Sequence, residues 1–185
     1  MNNENRISDV RQLALLEDRR DRILYTYKAH EKEADRIDCI ERWRKRASIV
    51  LTAVSATTFL VSFASTIGSE QTANLIISFI ALLTTGVSLA SDAFDLPGQS
   101  KDHATTAREL RSIFQDYEAL IVDLETGLIT CTEVTEKRDH LAMREKHTLE
   151  SIPVRTTRKS YKRASKALET DEKVSNASKI IMKDE

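Results

Sequence analysis

The side chains best suited to bind a transition metal or act as a nucleophile are few and scattered. They are four histidines, His30, His103, His140 and His147, and two cysteines, Cys39 and Cys131. None falls in a CxxC or HExxH spacing, and His140 and His147, one heptad apart, read as solvated positions of one helix. The cysteines are distant from each other and lie among charges, which fits either a disulfide or two free thiols in a reducing compartment. The sequence contains no Gly-rich phosphate loop, no nucleophile elbow and no His and Cys at a working spacing. The chain is therefore expected not to be an enzyme, and to need no metal and no cofactor.

The chemistry that remains is that of hydroxyls and amides set into apolar surroundings. Ala47–Ser69 and Gln71–Ser91 contain no Asp, Glu, Lys or Arg, although 31% of the chain is charged. Through the first run passes the series Ser48, Thr52, Ser55, Phe59, Ser62, Thr66, and through the second Asn74, Ser78, Ala81, Thr85, Ser88, Asp92. Steps of four and three keep such residues on one helix face. Ile49, Leu60, Phe63 and Ile67, and in the second run Leu75, Phe79, Leu82 and Leu89, lie off these stripes. Lipid tails are as apolar as leucine, so small and hydroxylated side chains turn away from lipid. Two uses follow: the stripes pack the two helices closely, or they line a water-filled path among several subunits. Asp92 ends the second stripe, with Asp95 one turn on; a ring of carboxylates at a pore mouth favours cations. The same two residues also suit a helix terminus.

The elements that must carry these stripes are two membrane helices. At about 1.5 Å per residue each run covers roughly the 30 Å of a bilayer's hydrocarbon core. Only Gly68-Ser69-Glu70-Gln71 separates them as a turn, so they return antiparallel. The charged residues 1–46 before the first run argue against a signal peptide. A buried soluble hairpin is the competing arrangement, but few other apolar residues exist to cover two helices apolar nearly all round. Arg42, Arg44, Lys45 and Arg46 crowd the start of the first span, with Trp43 as an interfacial anchor, while the turn carries only Glu70. Positive charge stays cytoplasmic, which predicts both termini inside the inner membrane of a cell and the small turn outside. With Gly at 4, Pro at 2 and aromatics at 5%, a turn-rich sheet protein is disfavoured.

The cytoplasmic part reads as helices throughout. A long charged helix from about Val10 through Trp43 carries Leu16, Ile23, Leu24, Tyr27, Ala34, Ile37 and Ile40 on an imperfect apolar face, and runs on into the first span. Pro97-Gly98 breaks the chain after the second span. His103, Ala107, Leu110, Phe114, Tyr117, Ile121, Leu124 and Leu128 then form a heptad seam, suited to a neighbouring helix of this chain or of another copy. Gly127 weakens the end of that helix. Thr130-Cys131-Thr132-Glu133 has the form of a capping box and restarts a helix through about His147. Between Ser151 and Leu168 stand Arg155, Arg158, Lys159, Lys162, Arg163 and Lys166 with no acid among them. On a helix these six share one broad face, opposite Tyr161, Ala164 and Leu168. That face suits anionic headgroups, a phosphate-bearing ligand or an acidic partner, or is simply solvated.

The expected architecture is all-α: a membrane protein with one two-helix transmembrane hairpin and a cytoplasmic helical bundle. Its parts are an N-terminal cytoplasmic helix (1–46), the hairpin (47–93, spans about 47–67 and 72–92), cytoplasmic helices (98–168) and a disordered tail (169–185). In this order the pieces resemble the SLATT family, the two-transmembrane effector domain found beside SMODS nucleotidyltransferases and SLOG sensors in bacteria. The resemblance covers about Ile23 to Leu168 and makes 1–168 a single SLATT-like domain. It is carried by ERWRKRAS (Glu41–Ser48) leading into a Ser/Thr-rich span, the minimal turn and second span, ARELRSIFQDYEALIVDLETG (Ala107–Gly127), ITCTEVTEKRDHL (Ile129–Leu141) and the basic end after Pro153.

The resemblance implies a role in bacterial conflict or antiphage defence. The expected activity is an oligomeric pore that permeabilises or depolarises the inner membrane, causing abortive infection, when a partner or nucleotide signal arrives. It also moves the reading of the stripes from packing towards conduction. The expected partners are the lipid bilayer, further copies of this chain and a separate sensor or nucleotide-signalling protein; no nucleic acid is expected. The alternative is a non-conducting membrane scaffold that recruits a soluble partner through its cytoplasmic helices.

Overall fold

The computed structural model describes residues 3–54, 66 and 70–170. All the described elements are helices: α1 (Asn3–Val54), α2 (Glu70–Ala93), α3 (Leu96–Glu125), α4 (Cys131–Ser151) and α5 (Arg158–Thr170). They fall into two compact units, one built from described residues up to Ala34 and from Lys101 onward, the other from Asp35–Ser100.

The first unit is a bundle of the first part of α1 with α3, α4 and α5. No Gly or Pro interrupts α1, and its polar surface is knitted by pairs one turn apart, Asp18 with Arg22 at 3.1 Å and Lys28 with Glu31 at 2.8 Å. Leu16, Ile23 and Tyr27 of α1 bury against Leu110, Ile113, Phe114, Tyr117, Leu120 and Ile121 of α3 and Val134 and Leu141 of α4. The heptad seam is thus used inside the chain from His103 to Ile121, with Leu124 packed at its edge. Its last member, Leu128, is 74% exposed because α3 has already ended. The seam is also wider than the 4-3 series suggested: Thr106, Ile113 and Leu120, themselves a heptad apart, are buried beside it.

Turn chemistry fixes the connections. Gly127 adopts φ +70°, while Leu128 N–H donates to Asp123 C=O at 2.9 Å and Gly127 N–H to Leu124 C=O at 3.1 Å. This closes α3 in a Schellman turn that needs a left-handed residue. The capping box forms as written: Thr130 N–H donates to the Glu133 carboxylate at 2.8 Å, and Glu133 N–H to the Thr130 hydroxyl at 3.4 Å. The Thr130 N–H, and after it the Thr130 hydroxyl, which also donates to that carboxylate at 2.9 Å, hold the Glu133 carboxyl below its ordinary range. The helix it starts runs to Ser151, one turn past the expected end.

Three boundaries differ from expectation. Pro97-Gly98 does not break the chain but lies in the first turn of α3, where a missing N–H costs little. Asp95 is the cap: its carboxylate accepts from Gly98 N–H at 2.9 Å and folds so closely over Gly98 that a Cβ there would collide with it. The break falls instead at Phe94-Asp95. Glu70 and Gln71, expected in the turn, begin α2. The basic helix starts at Arg158, so Arg155 belongs to the preceding loop, and it extends to Thr170. The expected disordered tail falls, but for its first two positions, outside the described residues.

The second unit contains the end of α1, α2 and the start of α3. Among the described residues no helix is long and apolar enough to cross a membrane. The first expected span falls largely on 55–65 and 67–69, which lie outside those residues. The fold is established as all-helical; the membrane hairpin stays an expectation.

Candidate functional site

The described part of the second unit has an unusual surface. On α2, Leu75 is 71% exposed, Phe79 60%, Leu82 69% and Leu89 64%. Beside them, Asn74, Ser78, Ala81, Thr85 and Ser88 of the expected stripe are exposed as well. The partly covered face is Ile77, Ile80, Thr84, Val87 and Ala90, about a quarter turn away from the stripe. Hydroxyls on both faces are satisfied within the helix: Thr84 donates to Ile80 C=O and Thr85 to Ala81 C=O, each at 2.9 Å. A hydroxyl bonded back to its own helix tolerates an apolar setting that a free one would not. On α1, Ser48 is half-buried and Thr52 exposed, and Thr66 is exposed. Ser55, Phe59 and Ser62 lie outside the described residues, as does the side chain of Asp92.

The residues before the first span form a charged collar on α1. Glu41 is buried, paired with Arg44 at 2.6 Å and Lys45 at 3.4 Å. Trp43 is 66% exposed with the Arg46 guanidinium 5.9 Å above its ring, and Arg42 is exposed. An aromatic ring beside basic side chains is the composition of a membrane–water boundary.

The basic residues of the C-terminal part belong to the bundle unit and lie at its surface. Arg158, Lys159, Lys162, Arg163 and Lys166 are exposed on α5, and Arg155 is exposed in the loop before it. The inward side of α5 is Ser160, Ala164 and Ala167. Tyr161, expected opposite the basic face, is 48% exposed and stacks on Tyr25 with centroids 6.4 Å apart.

One cluster was not anticipated. His30 of α1 and His103 of α3, both 4% exposed, face each other with Nδ1 atoms 3.0 Å apart. Burial, and after it the neighbouring His103, pull the His30 imidazole down to about 4 against the raising influence of Glu33. One turn along α1, Glu33 is 2% exposed and accepts from the Thr157 hydroxyl at 2.8 Å and from the Ser160 hydroxyl. Only His103 stood in a sequence pattern, as the first member of the seam. His30 and Glu33 lie off the apolar positions of α1, and nothing but an i, i+3 polar pair marked them.

Among the described residues, no group of three or more His, Cys, Asp or Glu side chains could hold a metal ion. Cys39 and Cys131 are not joined in a disulfide; the first is exposed and the second partly buried.

The described residues thus form helices alone: a compact bundle, a charged collar and a helix turning its large apolar side chains outward. Residues 13–179 match the family described as SMODS and SLOG-associating 2TM effector domain family 4, and the chain belongs to that family. No curated protein and no solved structure matches it.

Proposed function

We propose that this chain is the membrane-permeabilising effector of a bacterial conflict system, inserted in the inner membrane as a hairpin and active as a homo-oligomer. The observation that carries it is the outward face of α2. Four large apolar side chains are each more than half exposed there, which in water would be a persistent association hazard and in lipid is the ordinary state. The 24 residues of α2 extend about 36 Å, and the uncharged run Gln71–Ser91 makes up most of that length, which supports the reading. The family description, a two-transmembrane effector associated with SMODS and SLOG proteins, supports the same reading and supplies the sensor as a separate partner.

The exposed series Asn74, Ser78, Thr85 and Ser88 is free, within one chain, to face other copies. A single hairpin cannot enclose a pore, so the polar stripes of several hairpins line the path, with Asp92 at its cytoplasmic mouth. The action is physical, not enzymatic, and needs no cofactor. Both termini lie in the cytoplasm, where the bundle receives the signal.

A scaffold that recruits a partner through the seam is less well supported. Leu110 and Ile121 are 0% and 4% exposed inside this chain, leaving no open seam to offer. The test is membrane potential, followed with a voltage-sensitive dye during induced expression with the genomic neighbours. Depolarisation ahead of lost viability, weakened by Asp92→Asn and by Thr85→Trp while membrane fractionation is unchanged, is the expected result. An unchanged potential in every combination would end the pore reading.

A further inference from the structure

The chain passes between its two units only twice, at Ala34–Asp35 within α1 and at Ser100–Lys101 within α3. His30 and His103 stand just inside those two crossings, and Glu33 adjoins the first. The buried polar cluster is therefore built on the two rods that join the bundle to the unit containing α2.

The helix that closes this cluster is the one with the least hold on the bundle. α5 contributes no residue to the hydrophobic core cluster; its buried positions are Ser160, Ala164 and Ala167, which remove little apolar surface from water. Thr157 caps α5, accepting from Ser160 N–H at 3.3 Å, and its hydroxyl donates in turn to Glu33. The attachment is thus a set of hydrogen bonds to one buried carboxylate, with the half-exposed Tyr161 stacked on Tyr25 beside it. Such bonds are replaced by bonds to water on opening, whereas opening the Leu16–Leu110–Tyr117 core has no such compensation. Five cations crowd the outer face of α5 and carry no ion pair in the described structure, while Arg20, Arg22, Lys28, Arg138 and Arg144 elsewhere in the bundle each have a carboxylate. Their mutual repulsion further favours release.

We propose that α5 is a releasable clasp: held on Glu33 through Thr157 and Ser160, it keeps α1 and α3 joined at His30–His103, and its release loosens the two helices where they leave the bundle. Release admits water to the imidazole pair. Each helix is continuous through its crossing, so α1 and α3 themselves carry the chain from His30 and His103 into the second unit. This is the regulation of the activity proposed above and rests on that reading for its consequence. A polyanion gathering the α5 cations is one agent able to pull the clasp off.

Two variants of the full chain in lipid nanodiscs test it. Ser160→Asp sets a second carboxylate against Glu33 and opens the clasp. The pair Glu33→Met with Ser160→Ala replaces the buried polar contact by an apolar one of similar volume and closes it. In Ser160→Asp, amide exchange across 28–40 and 100–106 is expected to accelerate about tenfold, the size of one lost charged hydrogen bond, with 110–121 unchanged. In cells the same variant should depolarise without the partner, and the closed pair should suppress depolarisation while melting no lower than the parent. A merely structural role gives the reverse for the open variant, lost stability together with lost activity. Faster exchange confined to 158–170, or a closed pair that depolarises like the parent, would overturn the clasp. Should the parent itself never depolarise, the pore reading falls, and exchange at 35–40 alone decides the clasp.

Discussion

The two units use one kind of element in opposite senses. In the bundle, Leu16, Ile23, Leu110, Ile113 and Tyr117 are at most 1% exposed, and the charges apart from Glu33 lie towards the surface. In the second unit Leu75, Phe79, Leu82 and Leu89 of α2 are outside, and the partly covered face is Ile77, Ile80, Thr84, Val87 and Ala90. An amphipathic helix in water hides its apolar stripe; a helix apolar nearly all round has no stripe to hide. On the proposed function the two units meet different solvents, and each half of the contrast is open to attack by the same substitution made twice.

Leu110→Ala should cost the bundle about 3 kcal/mol, since a fully buried leucine leaves a cavity that its neighbours only partly fill. Leu82→Ala, at a site 69% exposed, should leave bundle stability unchanged. Thermal unfolding of the two variants in detergent measures both. Equal losses would mean that Leu82 belongs to a core and that the contrast is false.

Charge sharpens the comparison. Phe79→Lys places an ammonium near the middle of α2, where lipid opposes it by about 3 kcal/mol. Val122→Lys, at a bundle position 51% exposed to water, should be nearly neutral. Carbonate extraction of membranes reads the result: the first variant shifts towards the soluble fraction and the second does not. Retention of Phe79→Lys at the parent's level would show that this face meets protein or water.

The bundle alone should respond to acid through its polar cluster. His30 is held near 4 in the folded chain against an ordinary value of 6.5, so between those values the unfolded chain binds the extra proton. Stability therefore falls as pH drops from 6.5 towards 4 and is level above 6.5, with a slope of at most about 1.4 kcal/mol per pH unit for one proton. Melting temperatures at pH 7.5, 6 and 5 should show this in the parent and a flatter profile in His30→Leu. An identical slope in the variant would assign the acid sensitivity elsewhere, Glu33 and His103 being the charged neighbours.

What the sequence disclosed follows from how local each signal is. The seam from His103 to Ile121 was readable because burial every three or four residues is a periodic property of one helix. The Gly127 turn and the capping box were readable because their partners are at most five residues apart. The Pro97-Gly98 break was misplaced because proline is as acceptable in a first turn as beyond a last one, and only the Asp95 carboxylate over Gly98 distinguishes the two. The His30–His103 contact spans 73 residues and Glu33–Ser160 spans 127. No pattern along a single helix encodes such pairs, and on α1 the residues concerned look like ordinary solvated positions. The α2 part of the stripe, from Asn74 to Ser88, is exposed, and what it faces is a matter for the proposed function.

The smallest effect is at the one feature read residue by residue from sequence to structure. Thr130→Ala removes the hydroxyl that accepts from Glu133 N–H, leaving the first turn of α4 with one more unsatisfied donor; the cost is about 1 kcal/mol. Because α4 puts Val134 and Leu141 into the core shared with α1 and α3, the loss should appear in the global melting of the bundle and not as fraying at Cys131 alone. The Glu133 carboxyl, released from the Thr130 hydroxyl, should titrate closer to its ordinary range, a change readable by NMR. A lower melting point with an unmoved Glu133 titration would place the stabilisation in some other contact of Thr130. An unmoved melting point would mean that α4 is held by its buried face alone, which would bring it closer in kind to α2 than the contrast between the units allows.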